Sequence, residues 1–308
     1  MTTPRGHVRP RPLRRLTPWL ATAVICGVMV TGCATLPGSP HATPVSPEAY
    51  QTGLRADGDA LKAAVDGIGA TPPLQPLESQ VDSAASAVRA AAQRLTTIVP
   101  PTQYAAAQAN LVSALDQLAS QLSELGTQVQ SRNLCAAPSV MATLSSLPGA
   151  DALRRAAPTL GSAGADLAAA LPAPEPLPDR RENNGTVLRA PGSGSGEITA
   201  ENVPDHDTVV TLSQDGRAIG SFYVARGETA QMDNIPDGTY DIFFTSGADW
   251  DGNEFTRSCT FQRFDKTATF TTTETPHKIT YTKLTVILYP TVNGNSQTVN
   301  VPPDSFPK

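Results

Sequence analysis

The chain is poor in the residues that catalysis and metal binding draw on: four cysteines, four histidines and two tryptophans in 308 positions. His41, His206 and His277 stand apart from any nucleophile motif. "PGSGSGE", residues 191–197, is out of register with the Gly-x-Ser-x-Gly elbow and reads as a flexible loop. No Gly-rich loop opens a helix as phosphate binding requires, and no Glu-x-x-His pair marks a di-metal helix. Nothing positive therefore supports an enzyme, and no cofactor is expected. Long apolar runs are missing too. The run "WLATAVICGVMV", residues 19–30, would make a helix of roughly 18 Å, against a bilayer core of about 30 Å.

Present at the start is a basic segment, with Arg5, Arg9, Arg11, Arg14 and Arg15 and no acid before that run. A basic segment followed by a short apolar one reads as an export signal. It ends in Val30-Thr31-Gly32-Cys33, which resembles the lipobox of bacterial lipoproteins. The resemblance implies that Cys33 receives a diacylglyceryl group and becomes the N-terminus after cleavage. Arg14-Arg15 raises the twin-arginine route, but "LRRLTPW" lacks the aromatic or leucine usual two places after the pair, which favours the general secretory route. The proline-rich "ATLPGSPHATPVSP", residues 34–47, reads as an extended tether that holds the folded part clear of the membrane, and His41 as part of it.

Five of the 23 basic residues precede Cys33, so the exported chain carries 18 bases against 28 acids. That balance argues against nucleic acid and against a basic surface for anionic lipid. Membrane attachment is expected through the N-terminal lipid alone. The expected location is the extracytoplasmic face of the cell membrane.

Alanine makes up 30 of the 124 residues from 48 to 171, whereas 183–308 has 7 alanines and 20 threonines in 126. Alanine favours helix and threonine strand, so the shift marks a boundary. The expected fold is multi-domain α and β. Residues 1–32 are the signal and 33–47 the lipidated cysteine and tether; 48–171 form an antiparallel helical bundle. Residues 172–183 are a proline-rich linker, and 184–306 an antiparallel β-sandwich. Apolar stripes at three-four spacing carry the helices: Tyr50, Leu54, Leu61, Val65, Ile68; then Leu77 to Ile98; then Tyr104 to Val129. Short runs of alternating character between Asp215-Gly216, Arg226-Gly227 and Pro236-Asp237-Gly238 carry the strands. The prolines of the linker imply few contacts shared between the halves.

"IPDGTY", "SGADWD" and the "FTRSC" strand, within residues 225–273, resemble an uncharacterised β-domain of actinobacterial secreted and membrane-attached proteins. "IPDGTYDIFF" also resembles the Pro-x-Gly-x-Tyr hairpin of transthyretin-like and carboxypeptidase-regulatory sandwiches. Neither resemblance implies a catalytic residue; the first implies an actinobacterial source.

Three further sites stand out. In "DWDGNEF", Asp249, Asp251 and Asn253 alternate as at the start of a calcium loop, but Glu254 and Thr260 occupy its glycine and glutamate places. A solvated turn is the better reading. Trp250 in that turn either folds back over the β-domain, the favoured reading, or marks a recognition loop for a sugar or partner. Cys135 and Cys259 remain in the exported chain and either pair or lie unpaired in separate domains, with the second reading slightly preferred. The expected function is a non-enzymatic binding or scaffold role toward an envelope protein or glycan. The alternative is a solute-binding component or hydrolase.

Overall fold

A computed structural model describes residues 43–72, 75, 77–203, 205–288 and 297–307. Val30, Thr31, Gly32 and Cys33 lie outside the described residues.

Among the described residues six α-helices come first: α1 Pro47–Gly69, α2 Glu78–Thr97, α3 Ala105–Gln130, α4 Ala137–Ser145, α5 Pro148–Ala156 and α6 Ser162–Ala169. Ser46 starts α1 by accepting the Ala49 N–H at 3.2 Å, and Pro47, which has no N–H to satisfy, takes the first position. The apolar stripes are the buried faces: Tyr50, Leu54, Leu61, Val65 and Ile68 of α1 meet Val81, Val88 and Leu95 of α2 and Leu111, Leu115, Leu118 and Leu122 of α3 in one core. Alanines let the helices approach. At Gly149, the second residue of α5, even a Cβ would come within 2.6 Å of the Leu118 backbone nitrogen, so only glycine fits there.

Twelve strands follow: β1 Val187–Arg189, β2 Gly196–Glu201, β3 Asp207–Gln214, β4 Arg217–Val224, β5 Thr229–Ile235, β6 Gly238–Trp250, β7 Phe255–Phe264, β8 Ala268–Phe270, β9 Thr272–Thr275, β10 Lys278–Tyr281, β11 Lys283–Ile287 and β12 Thr298–Asn300. A seven-stranded sheet runs β1-β4-β3-β6-β7-β12, with β8 on β6; a three-stranded sheet runs β11-β2-β5; β9 and β10 form a hairpin. Val210, Leu212, Phe222, Ile242 and Phe244 of the large sheet share a core with Ile198, Ala200, Met232, Ile235 and Val286 of the small one.

Pairing is not antiparallel throughout. β11 runs parallel to β2, Lys283 opposite Glu197 through Ile287 opposite Glu201. The chain reaches β11 after the β9–β10 hairpin rather than by a tight turn from β2, and only a long connection permits a parallel neighbour.

The large sheet is buried on both faces at its centre, where β3 is buried at seven consecutive residues, without alternation. On its outer face Val209, Tyr223, Trp250, Phe255, Cys259, Phe261 and Phe306 form a separate apolar layer. The cover comes partly from the helical half. The connection between α3 and α4 lies along β7: the Cys135 N–H donates to the Thr256 carbonyl at 2.8 Å, Ser258 N–H to Asn133 at 3.1 Å, and Cys259 N–H to Arg132 at 3.0 Å. Arg132 and Ser258 hold left-handed conformations, with φ of 60° and 53°, to bring the two segments together. This added segment and β12 share the edge of β7, which leaves less of it open for pairing with another chain.

The same contact carries a disulfide between Cys135 and Cys259, 124 residues apart. The preference for unpaired cysteines is thereby corrected: sequence separation does not report the spatial proximity that the α3–α4 connection creates. The expectation of few shared contacts is corrected as well. Helices and strands belong to one compact unit, and the segment 172–183 is fastened to the β-half by its own arginines.

Candidate functional site

Arg180 and Arg181, at the end of the proline-rich segment, reach two different buried carboxylates. Arg180 grips Asp249 with its Nε and Nη2 at 2.9 and 2.8 Å and with its backbone N–H at 2.8 Å. Thr256 Oγ1 donates to the same carboxylate at 2.5 Å. Arg181 grips Asp207 in the same two-pronged way, and the Arg226 N–H donates to Asp207 at 2.9 Å. The Trp250 backbone N–H donates to the Arg180 carbonyl at 2.9 Å, and Arg257 Nη2 donates to the Pro178 carbonyl at 2.7 Å. The segment is a strap rather than a free linker.

The Asp249 oxygens are thus engaged by Arg180 and Thr256. Asp251 is committed too: its Oδ1 accepts from the Asn253 and Glu254 N–H groups at 2.8 and 2.9 Å and closes the turn. In this structure Asp249 lies at the bulged end of β6 and Asp251 caps the turn that Asn253 belongs to. Among the described residues no cluster of three or more His, Cys, Asp or Glu side chains is gathered to hold a metal.

Burial pushes the Asp249 carboxyl up, but the hydrogen bonds from Arg180 and Thr256 outweigh it and bring the pKa down from 3.8 to about 2. The unfolded chain then binds more protons than the native one between these values, so stability rises with pH there. The contribution, on the order of 2 kcal/mol, is complete above about pH 5 and lost as pH falls through about 2. Acid unfolding followed by circular dichroism should show a steeper loss below pH 4 in the unaltered chain than in Asp249→Asn, which has no carboxyl to titrate. Equal slopes would mean that Asp249 does not couple folding to protons.

Trp250 is 6 % exposed and packs edge-on against Phe255 and Tyr223, with centroids at 5.0 and 6.3 Å. Trp250 therefore does not project as a solvent-facing recognition loop: it ends β6, paired with Phe255, and its indole is buried in the outer apolar layer. Gly247 lets the bulge close: a Cβ there would sit 2.7 Å from the Arg257 carbonyl oxygen.

The folded-back tryptophan instead lines a cavity. About 570 Å³ in volume, it lies on the outer face of the large sheet between Trp250, the C-terminal Phe306-Pro307 and Pro72 of the α1–α2 connection. A second cavity of about 460 Å³ adjoins it and shares Glu254 and Phe261; Arg132, Leu134 and Cys135 of the helical half line that one. Arg132 stands over the Phe261 ring at 5.6 Å. Both volumes fall within the range of small-molecule sites, about 300–1,000 Å³. Tyr223, Val209, Thr245 and Phe261 form one line across β4, β3, β6 and β7 beneath the larger cavity. Thr211 and Ser221 add hydroxyls from the next line.

Sequence reasoning missed Arg180, Arg181, Thr245 and Phe306. The unbroken apolar and β-branched run of β3 was a usable signal that its outer face is covered. His206 contributes only its carbonyl, which accepts from Asn202 Nδ2 at 2.8 Å.

No protein family, curated protein or solved structure matches the chain.

Proposed function

We propose that this protein is a bacterial lipoprotein of the cell envelope, held on the extracytoplasmic face of the membrane by lipid on Cys33 and acting there as a non-enzymatic binding component. The observation that carries this reading is Val30-Thr31-Gly32-Cys33, directly after a basic and then a short apolar segment. The Cys135–Cys259 disulfide supports it, because such bonds persist in oxidising, extracytoplasmic compartments. Among the described residues no helix is long and apolar enough to cross a membrane, and the lipid supplies the attachment in this reading.

In finer terms the fold is a helical bundle joined to a β-sandwich, a reading supported by the two separate apolar cores. A binding role is supported by the two cavities, which offer aromatic rings and, in the larger one, hydroxyls with one charge of each sign, Arg189 and Glu254. Changing Cys33→Ala should abolish incorporation of a clickable fatty acid in bacteria and leave the protein unprocessed or released. Lipid labelling that survives this change sinks the reading.

A further inference from the structure

We propose that the C-terminal segment, residues 297–307, docks on a second copy of this chain, so that two copies exchange the segment and form a symmetric dimer. The segment is laid on the edge of β7 rather than built into the sheet. Thr298, Val299 and Asn300 pair with Phe264, Arg263 and Gln262, and all three side chains of β12 are exposed. The Val301 N–H donates to the Phe261 carbonyl at 2.9 Å, and the Asp265 N–H to the Gln297 carbonyl at 2.8 Å. Beyond the strand one ring goes deep. Phe306 is 7 % exposed and sits edge-on to Phe243 and Phe261, with centroids at 5.6 and 5.7 Å. A strand added to a sheet edge by main-chain bonds, with one side chain in an apolar slot, is how one chain recognises an extended segment of another.

The occupant that fits this slot is known residue for residue, because the chain itself supplies it. A second copy carries the same segment. Every contact made within one copy is therefore available between two, and reciprocal exchange gives a closed two-fold pair. The connection is long enough. Leu288 is tied to the small sheet by its N–H, which donates to the Glu201 carbonyl at 3.0 Å. Eight residues, 289–296, separate it from Gln297. A chain of that length reaches up to about 30 Å, the span of a small domain. The chain's own segment competes, at an effective concentration on the order of 1 mM for a short connection. Exchange therefore rises with the concentration of copies.

Val299 and Arg263 lie directly opposite each other, and both are open to solvent, so cysteines there should leave the fold intact. Full chains carrying Val299→Cys or Arg263→Cys, kept in detergent, are mixed at about 1 mM and oxidised with copper phenanthroline. With the segment in its own copy, neither new thiol has a partner across β12 and β7. With the segment exchanged, the two thiols face each other, and a non-reducing gel should show a linked pair of the two variants. A control pair, Val299→Cys with Ser83→Cys on an exposed position of α2, reports chance collisions. The linked product should exceed that of the control by about tenfold. The double variant Val299→Cys with Arg263→Cys should also close its bond, which verifies the register. Linkage no greater than in the control, with the double variant closing its bond within one chain, overturns the proposal. A double variant that forms no bond overturns it too, because the pairing of β12 with β7 is then wrong. Neither outcome bears on the lipid anchor, which stands on Cys33 labelling.

Discussion

Replacing Cys135 and Cys259 together by alanine should destabilise the protein by about 3–5 kcal/mol, a drop in melting temperature on the order of 10 °C. The size follows from the length of chain that the bond closes. Residues 124 apart are held together, and the entropy removed from the unfolded chain grows with the logarithm of that separation. The bond lies where Leu134 pairs with Arg257 and where Arg132 and Ser258 sit at positive φ, so its loss also releases the helical half from the edge of β7. Thermal unfolding with and without reductant checks this directly. Reductant should lower the melting temperature of the unaltered chain and leave the double variant unchanged. A double variant as stable as the parent would show that the junction holds without its disulfide.

Arg180→Ala should cost about 3 kcal/mol, more than an ordinary surface substitution. Arg180 is itself half exposed, but its partner Asp249 has no exposed side-chain surface. Removing the guanidinium leaves a buried carboxylate with Thr256 and a backbone N–H as its remaining donors. The strap over Trp250 loosens at the same time, because the Arg180 carbonyl accepts from the Trp250 backbone N–H. Urea unfolding of Arg180→Ala measures the loss, and Arg180→Lys should recover only part of it, since an ammonium cannot make the two-pronged contact. The double change Arg180→Ala with Asp249→Asn should be less damaging than the sum of the single ones. Strict additivity would mean that the pair contributes nothing to folding.

What the sequence conveys and what it hides have different physical origins. The stripe from Tyr50 to Ile68 is legible because a helix that buries one face must repeat its apolar residues at three-four spacing. Tyr240, Ile242 and Phe244 of β6 are legible for the corresponding reason in a strand, and all three face the shared core. The parallel pairing of β11 with β2 leaves no such trace, because period fixes a face but not a neighbour. Asp249 illustrates a sharper failure. It sits among Asp251, Asn253 and Gly252, a composition that reads as a solvated turn, yet its carboxylate is buried. The residue that makes burial tolerable is Arg180, 69 positions earlier, in a segment whose prolines suggest a free linker. Charge pairs of that separation have no local signature. Trp250 follows from the same arrangement: with the strap in place its indole packs on Phe255 and Tyr223 and lines the cavity instead of projecting from a loop.

The proposed lipoprotein is exported, and its two halves are fastened to each other by the Cys135–Cys259 disulfide. Mass spectrometry of the protein isolated from bacterial membranes, digested without reduction, tests this most directly. The account predicts an N-terminal peptide that begins at a lipid-modified Cys33 and a cross-linked peptide pair containing Cys135 and Cys259. A chain that still begins at Met1, with Cys33 unmodified and both other thiols free, would contradict it.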